Sequence, residues 1–408
     1  MRKFAALSLA LLLTLTGCGS EAPAQTTEVP ETAEIRETAD ALNLAPEAPK
    51  PKKPMPDTVM VRYDLETQEG SSQDGKIKVL QMEENLGRAY IPHNPAAEKA
   101  VNQALEGLQT TFWQGGNTPG AANSEGYDAL LSQARDSQTE IGDGFAPYYL
   151  SLRSRVMRGD LNVLSLQVRS DAYLGGAHGY AVESGWVFDS QTGKRLELKD
   201  LAQDPQALEN FVLDQLVSRV SESPELQQHI AWFQQDEYRE QFSQLLTQGS
   251  WLLDEQGLRF FSQEYQFGPH AAGVLQVTIP YGDLADLMKP QYLKPAAGGT
   301  GSLSLSLPNG CNARILDDLV LDPGGEILML EAQGRVDRAE LVEVNLSGQV
   351  YEREPIWFGS SMEDCVVRLE VNLDPNQPDL MLKYTDQSGD HQVLLLPDGG
   401  GYTLKPIN

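Results

Sequence analysis

Apolar and polar residues alternate along this chain in blocks of changing period, and the period assigns most of the expected elements. Leu164, Leu166 and Val168 alternate with polar neighbours, the two-residue repeat of a half-buried strand. With residues 148–157 they predict a hairpin, 148–157 and 162–169, turning across Arg158-Gly159-Asp160. A third strand is expected at 181–188, turning at Asp189-Ser190-Gln191-Thr192-Gly193 into a fourth at 195–198. Before the hairpin the pattern predicts strands at 59–65 and 76–80, then helices at 95–112 and 124–134. The first helix opens at Asn94-Pro95, an N-cap type followed by a proline suited to the first helical position. After the strands, Leu208, Phe211, Val212 and Leu216 recur at helical spacing, as do Leu226, Ile230 and Phe233, giving two more helices. Strands at 258–263 and 274–279 and a short helix from near Tyr281 follow.

The rest of the chain changes character. Short stretches with period-two alternation stand at 303–307, 326–330, 342–346, 367–373 and 380–383, separated by Pro, Gly, Asn and Asp clusters. Two prolines and three glycines fall between Met288 and Gly301, a composition that suits a boundary. The reading is therefore an α+β region over 57–289, one domain or two tightly joined subdomains, a linker at 290–301 and a small all-β, sandwich-like domain over 302–408.

The amino-terminal residues carry a different signal. Arg2 and Lys3 precede an almost wholly apolar run from Phe4 to Leu15, shorter than the roughly 20 residues a spanning helix needs. It ends in Leu15-Thr16-Gly17-Cys18, which resembles the lipobox of bacterial lipoproteins. The resemblance implies cleavage after residue 17, lipid on Cys18, stable membrane anchoring and an extracytoplasmic location for everything downstream. Only three residues precede the run, so no cytosolic segment is expected. Residues 19–56 hold seven prolines and almost no large apolar residues, the composition of a disordered tether, which at about 3.1 Å per residue reaches at most about 120 Å. Two cysteines remain, Cys311 and Cys365. An even number in an oxidising compartment predicts a disulfide between them, the alternative being two buried thiols.

Charge narrows the partners. The chain has a formal net charge of −27, so nucleic acid and anionic surfaces are disfavoured, whereas a cationic protein is attracted from a distance. No cofactor motif is present.

Gly175-Gly176-Ala177-His178-Gly179 is the feature most suggestive of a site, because three glycines within five residues let a backbone turn tightly or approach a ligand. Gly175, Gly176, His178 and Gly179, with His270, form the candidate ligand-binding loop; the competing reading is a tight crossing between strands with His178 packed locally. Zinc through His178 and His270 lacks support from any HExxH, His-x-His or free cysteine pair, and no metal is assigned. Ser184 in Val182-Glu183-Ser184-Gly185 lacks the first glycine of a nucleophile elbow. Asp317, Asp318 and Asp322 have the ligand type of a calcium loop without its spacing, and no catalytic residue is assigned. Trp232-Phe233 ends a helical pattern and reads as packing.

Tyr173-Leu174-Gly175-Gly176-Ala177-His178-Gly179, followed by Trp186-Val187-Phe188-Asp189 and the stretch from Thr192 to Leu201, resembles the RsiV-like domain family, as does the later Phe267-Gly268-Pro269-His270-Ala271-Ala272-Gly273 with Thr278-Ile279-Pro280-Tyr281. An aromatic often stands in that family where this chain has His270. The family includes the extracellular part of a lysozyme-sensing anti-sigma factor and the amino-terminal region of a peptidoglycan deacetylase, PdaC. The resemblance implies an extracytoplasmic α+β module that binds a macromolecule. With no cytosolic segment expected, direct contact with a sigma factor is not. The deacetylase's metal motif is missing, since the only Asp-Asp pair, Asp317-Asp318, lies in the wrong context. The expectation is a non-enzymatic binding or sensor module for a lysozyme-like protein or a peptidoglycan fragment. The alternatives are an envelope hydrolase or transferase acting on peptidoglycan, and a scaffold docking an envelope partner.

Overall fold

The first four strands of the computed structural model, β1 (Val59–Tyr63), β2 (Glu66–Ser71), β3 (Lys78–Asn85) and β4 (Gly87–Tyr90), divide between two sheets. The structure describes residues 59–116, 124–247, 249–294, 301–306, 325–345, 351–363, 365–372, 379–397 and 402–407. Cys18, Cys311, Asp317, Asp318 and Asp322 lie outside the described residues; Cys365 is half-buried.

Helix α1 (Pro95–Gln114) begins as the Asn94-Pro95 pair predicts, with the Asn94 side chain accepting from Ala97 N at 3.1 Å. Its buried Asn102 pairs with the free edge of β4, accepting from Ala89 N at 2.9 Å and donating to Ala89 O at 2.8 Å. A side-chain amide thus does there what a neighbouring strand would. Helix α2 (Tyr127–Ile141) runs past the expected 124–134. Strands β5 (Tyr148–Gly159), β6 (Val163–Tyr173) and β7 (Tyr180–Asp189) follow as antiparallel neighbours. Leu164, Leu166 and Val168 are wholly buried on one face, as their alternation requires. The sheet order is β2-β3-β5-β6-β7, with β3 and β5 parallel because α1 and α2 intervene between them.

The strand expected at 195–198 does not form. Arg195 makes a single bridge to Phe188, and the chain then turns into α3 (Leu198–Leu201), where Glu197 and Asp200 form a reciprocal capping box that satisfies the turn's first donors. Helix α4 (Pro205–Glu222) buries Leu208, Val212, Leu213, Leu216 and Val220, and Asp204 caps it. The second expected helix is reduced to α5 (Pro224–Gln227) and a 3₁₀ turn at Gln228–Ile230. Phe233 packs against the core, but Trp232 is 53% exposed, which corrects its reading as packing. Helix α6 (Tyr238–Thr247) then leads to β8 (Trp251–Leu253), β9 (Gly257–Phe261), β10 (Gln276–Pro280) and α7 (Tyr281–Leu284). The β10-β9-β8 sheet shares one apolar core with α4 and α6.

The remaining described strands are β11 (Ser302–Ser306), β12 (Gly325–Gln333), β13 (Arg335–Asn345), β14 (Tyr351–Glu363), β15 (Val366–Asn372), β16 (Asp379–Asp386), β17 (Gly389–Pro397) and β18 (Tyr402–Ile407). They form a β11-β12-β15 sheet and a second sheet of order β18-β17-β16-β13-β14-β1-β4. The described part is therefore α+β with a β-rich carboxy-terminal region. β1 pairs with β14, Val59 opposite Ser360 and Arg62 opposite Trp357, so residues on both sides of 290–301 build one sheet. Pro54–Asn408 is a single compact unit.

Two buried charge clusters join the layers. Arg158, at the end of β5, is 1% exposed and donates to Asp160 at 2.7 Å, the Tyr281 hydroxyl at 2.8 Å, Tyr292 O at 2.7 Å and Leu293 O at 3.1 Å. Burial pushes the Tyr281 phenol up, and burial with the Asp189 carboxylate pushes Tyr292 up to about 12. Glu340, its side chain 3% exposed, faces Arg155 of β5 at 3.3 Å, Arg338 at 3.1 Å and Lys383 of β16 at 3.8 Å. Arg338 also reaches Glu255 at 3.2 Å.

Candidate functional site

The turn between β6 and β7 has the backbone that its glycines allow. Gly175 and Gly176 have φ of 91° and 92°, values that side chains rarely adopt. A Cβ on Gly179 would stand 2.7 Å from Ala172 O. Tyr173 donates its hydroxyl to Gly176 O at 3.2 Å. This geometry presents His178 to solvent.

A second loop, residues 262–275 between β9 and β10, meets it. Phe267 anchors that loop, 2% exposed, with edge-on contacts to Phe233 and Phe242. Phe267 O accepts from Trp232 N at 3.2 Å, and the His229 imidazole bonds to Ala272 O. On this base Tyr265 is held at φ 59°, the left-handed region, which costs a side-chain-bearing residue roughly 1–2 kcal/mol. Its ring lies at the surface, 43% exposed.

The two loops bring three rings together. His178 and His270 stack with centroids 4.9 Å apart and planes 8° apart; Tyr265 lies 5.6 Å from His270 and 6.2 Å from His178, tilted 27° and 25° from them. His178 Nδ1 lies 2.8 Å from Gly179 O, and the Tyr265 hydroxyl lies 3.0 Å from His178 Nε2. A carbonyl only accepts, so Nδ1 donates to Gly179 O, while Nε2 and the Tyr265 hydroxyl are hydrogen-bond partners of each other. The sequence singled out both histidines, and the fold makes them neighbours. Tyr265 carried no sequence signal, lying in Gln263-Glu264-Tyr265-Gln266 between two strands.

Beside the stack is a recess of about 200 Å³ lined by Arg169, Glu183, Gln263, Glu264 and His270, among others. Its back wall is the outer edge of β7. Gln263 accepts from Glu183 N at 3.0 Å and donates to Glu183 O at 2.8 Å, repeating the edge protection that Asn102 gives β4. Arg169 forks Asp171, with bonds of 2.8 to 3.1 Å, and reaches Glu183 at 2.8 Å. Hydrogen bonds and charge from Asp171, with Glu183, raise its guanidinium pKa. Tyr180, 38% exposed, stands at the rim strand, its phenol pKa raised by burial.

This geometry suits binding. Among the described residues no three His, Cys, Asp or Glu side chains group as metal ligands. Ser184, the serine weighed as a nucleophile, is buried and accepts from Trp186 Nε1 at 3.0 Å.

One other cluster has the composition of a hydrolase triad. In the β16–β17 turn, Ser388 Oγ lies 2.8 Å and Asp386 Oδ1 3.0 Å from His391. Both contacts are to Nε2, whereas a triad needs the acid and the nucleophile on opposite nitrogens. Ser388 also donates to Asp386 at 2.6 Å, so the group clasps the turn.

Residues 199–282 match the family model described as Protein of unknown function (DUF3298); that stretch holds Tyr265 and His270, while His178 precedes it. Two solved structures of DUF3298-family proteins are similar to the chain. That from Bacteroides fragilis is 16% identical with a TM-score of 0.42, and that from Pseudomonas aeruginosa is 16% identical with a TM-score of 0.36. Each alignment covers 59% of this chain and 96% of the other. No curated protein matches.

Proposed function

We propose that this chain, with its DUF3298 domain at residues 199–282, is a lipid-anchored extracytoplasmic binding protein, and that the face made by His178, Tyr265 and His270 takes a cationic macromolecule of the lysozyme-like class. The observation that carries the reading is the three-ring stack, exposed at the meeting of two loops and held there at the cost of a left-handed Tyr265. The Tyr265 face attracts cations through the ring quadrupole, carboxylates flank the rings, and the net charge of −27 steers a basic partner toward them. The apolar run ending at Cys18 supports the anchor, and the resemblance to RsiV-like domains and to the PdaC amino-terminal region supports a macromolecular ligand. Cys311 and Cys365 form a disulfide in this reading.

The test is calorimetric titration of the detergent-solubilised full chain with lysozyme at low and physiological salt. Binding is expected to persist at physiological salt and to weaken by about tenfold or more in Tyr265→Ala, as for a central aromatic anchor. Binding confined to low salt refutes a specific interface, because screened charge attraction alone behaves that way. Binding of peptidoglycan fragments in place of lysozyme moves the ligand to the wall polymer; binding of neither refutes the proposal.

A further inference from the structure

Two carboxylates line the recess beside the rings, Glu183 and Glu264, and an arginine of the chain takes only the first. Arg169 takes Asp171 and Glu183 with bonds of 2.8 to 3.1 Å. Glu264 has no such partner. Its side chain is 22% exposed, and Oε2 stands 3.4 Å from Ala181 N and 3.6 Å from His270 Nδ1. Both are at or beyond the long limit for a hydrogen bond. The neighbouring Gln263 amide is already spent on both backbone groups of Glu183. A part-exposed carboxylate with two long donors keeps acceptor capacity for a ligand, and it opens on a recess whose lining includes the His270 ring.

Those boundaries select among cations. An ammonium is a compact, strongly hydrated charge, whereas a guanidinium is planar, less hydrated, able to fork a carboxylate and to stack on a ring at the same time. The recess offers the Glu264 carboxylate, Glu183 being taken by Arg169, and the His270 ring, against which His178 and Tyr265 lie. Arg169 displays the carboxylate half of this chemistry within the chain, forking Asp171 and reaching Glu183. We infer that the recess between Glu264 and the His270 ring binds one arginine side chain of the ligand, an assignment that rests on the cationic-partner reading above. Glu264 is then the residue that distinguishes arginine from lysine.

The full chain in detergent is titrated with octa-arginine and with octa-lysine, two probes of equal charge. The arginine peptide is expected to bind about fivefold to tenfold more tightly, the advantage of one stacked, forked guanidinium. Glu264→Gln keeps the side chain's shape and removes its charge, and is expected to bring the two affinities within about twofold. His270→Ala removes the ring wall and is expected to do the same, so the outcome does not hang on one variant. Asp128→Asn removes an exposed charge from α2, which packs by β2 and β3 at the opposite edge of the sheet, and is expected to leave the preference intact. Equal affinities for the two peptides in the unaltered chain overturn the assignment, as does a preference that survives both site variants. If lysozyme still binds in either of those cases, the cationic-partner reading stands without it. A preference that depends on Glu264 in a chain that does not bind lysozyme keeps the arginine site and removes the lysozyme-like ligand.

Discussion

Replacing Arg158 with Met tests the packing account most severely. The side chain is 1% exposed and its guanidinium makes four short contacts, to Asp160, the Tyr281 hydroxyl, Tyr292 O and Leu293 O. Met fills a similar length but donates nothing. It leaves the Asp160 carboxylate, 13% exposed, without its cation and two backbone carbonyls without donors. Breaking one side of a buried pair typically costs about 3–5 kcal/mol, and an orphaned buried acceptor about 1–3 kcal/mol. These overlap, so a total of about 3–5 kcal/mol is expected. At about 2 °C per kcal/mol for a unit of this size, thermal unfolding shifts down by roughly 6–10 °C. Asp160 also accepts from Asn162 N and Val163 N, which Asp160→Asn preserves, so a double-mutant cycle on Arg158 and Asp160 isolates the ionic part and is expected to give a coupling above about 1 kcal/mol. Differential scanning calorimetry on the three variants supplies the values. An Arg158→Met midpoint within about 2 °C of the unaltered chain would refute the claim that this arginine fastens the β5–β6 turn to the segment after α7.

Gly185→Ala places a Cβ 1.7 Å from Trp251 O, where β7 passes β8; backbone cannot yield cheaply, so a loss of at least about 2 kcal/mol in urea unfolding is expected. Gly282→Ala, whose Cβ meets nothing within 4 Å, is the control and is expected to stay within about 0.5 kcal/mol. Asp386 is held below the usual carboxylate range: its partial burial alone pushes upward, and hydrogen bonds from Ser388, His391 and Leu303 N outweigh it. Its contribution is therefore full above the unfolded value of about 4 and is lost as pH falls through the lower folded value. Asp386→Asn is expected to flatten the acid limb of the stability curve, read as urea midpoints between about pH 2 and 6; an acid limb unchanged by the substitution removes Asp386 as a cause.

The local elements were legible where neighbours in sequence supply the physics. Asn94-Pro95 opens α1, and the alternation of Leu164, Leu166 and Val168 names the buried face of β6. Helix α6 was missed although Tyr238, Phe242 and Leu245 are buried at helical spacing, because a few apolar residues in a ten-residue polar stretch fall below what periodicity distinguishes from a loop. The exposed edge strand β2 has one buried residue, Gly70, so it shows no alternation to read. At 195–198 a strand-like run yielded to the Glu197–Asp200 capping box, whose side-chain acceptors end an extended segment and begin a turn.

What the sequence by itself determined was the set of elements whose caps and periods lie within a few residues, the acidic balance, and the glycines that turn the chain at 175 and 176. It also marked His178 and His270 as residues of interest. Only the tertiary structure decided that these two stack, that Tyr265 and Glu264 join them, and that β1 pairs with β14. Arg158 makes the same point from the interior: a charged turn residue reads as solvated until four acceptors surround it, two of them backbone carbonyls of Tyr292 and Leu293. Such groups carry no local pattern, because a carbonyl or ring plane becomes a partner only when the packing of distant segments brings it within hydrogen-bond or stacking distance and excludes the water that would otherwise compete.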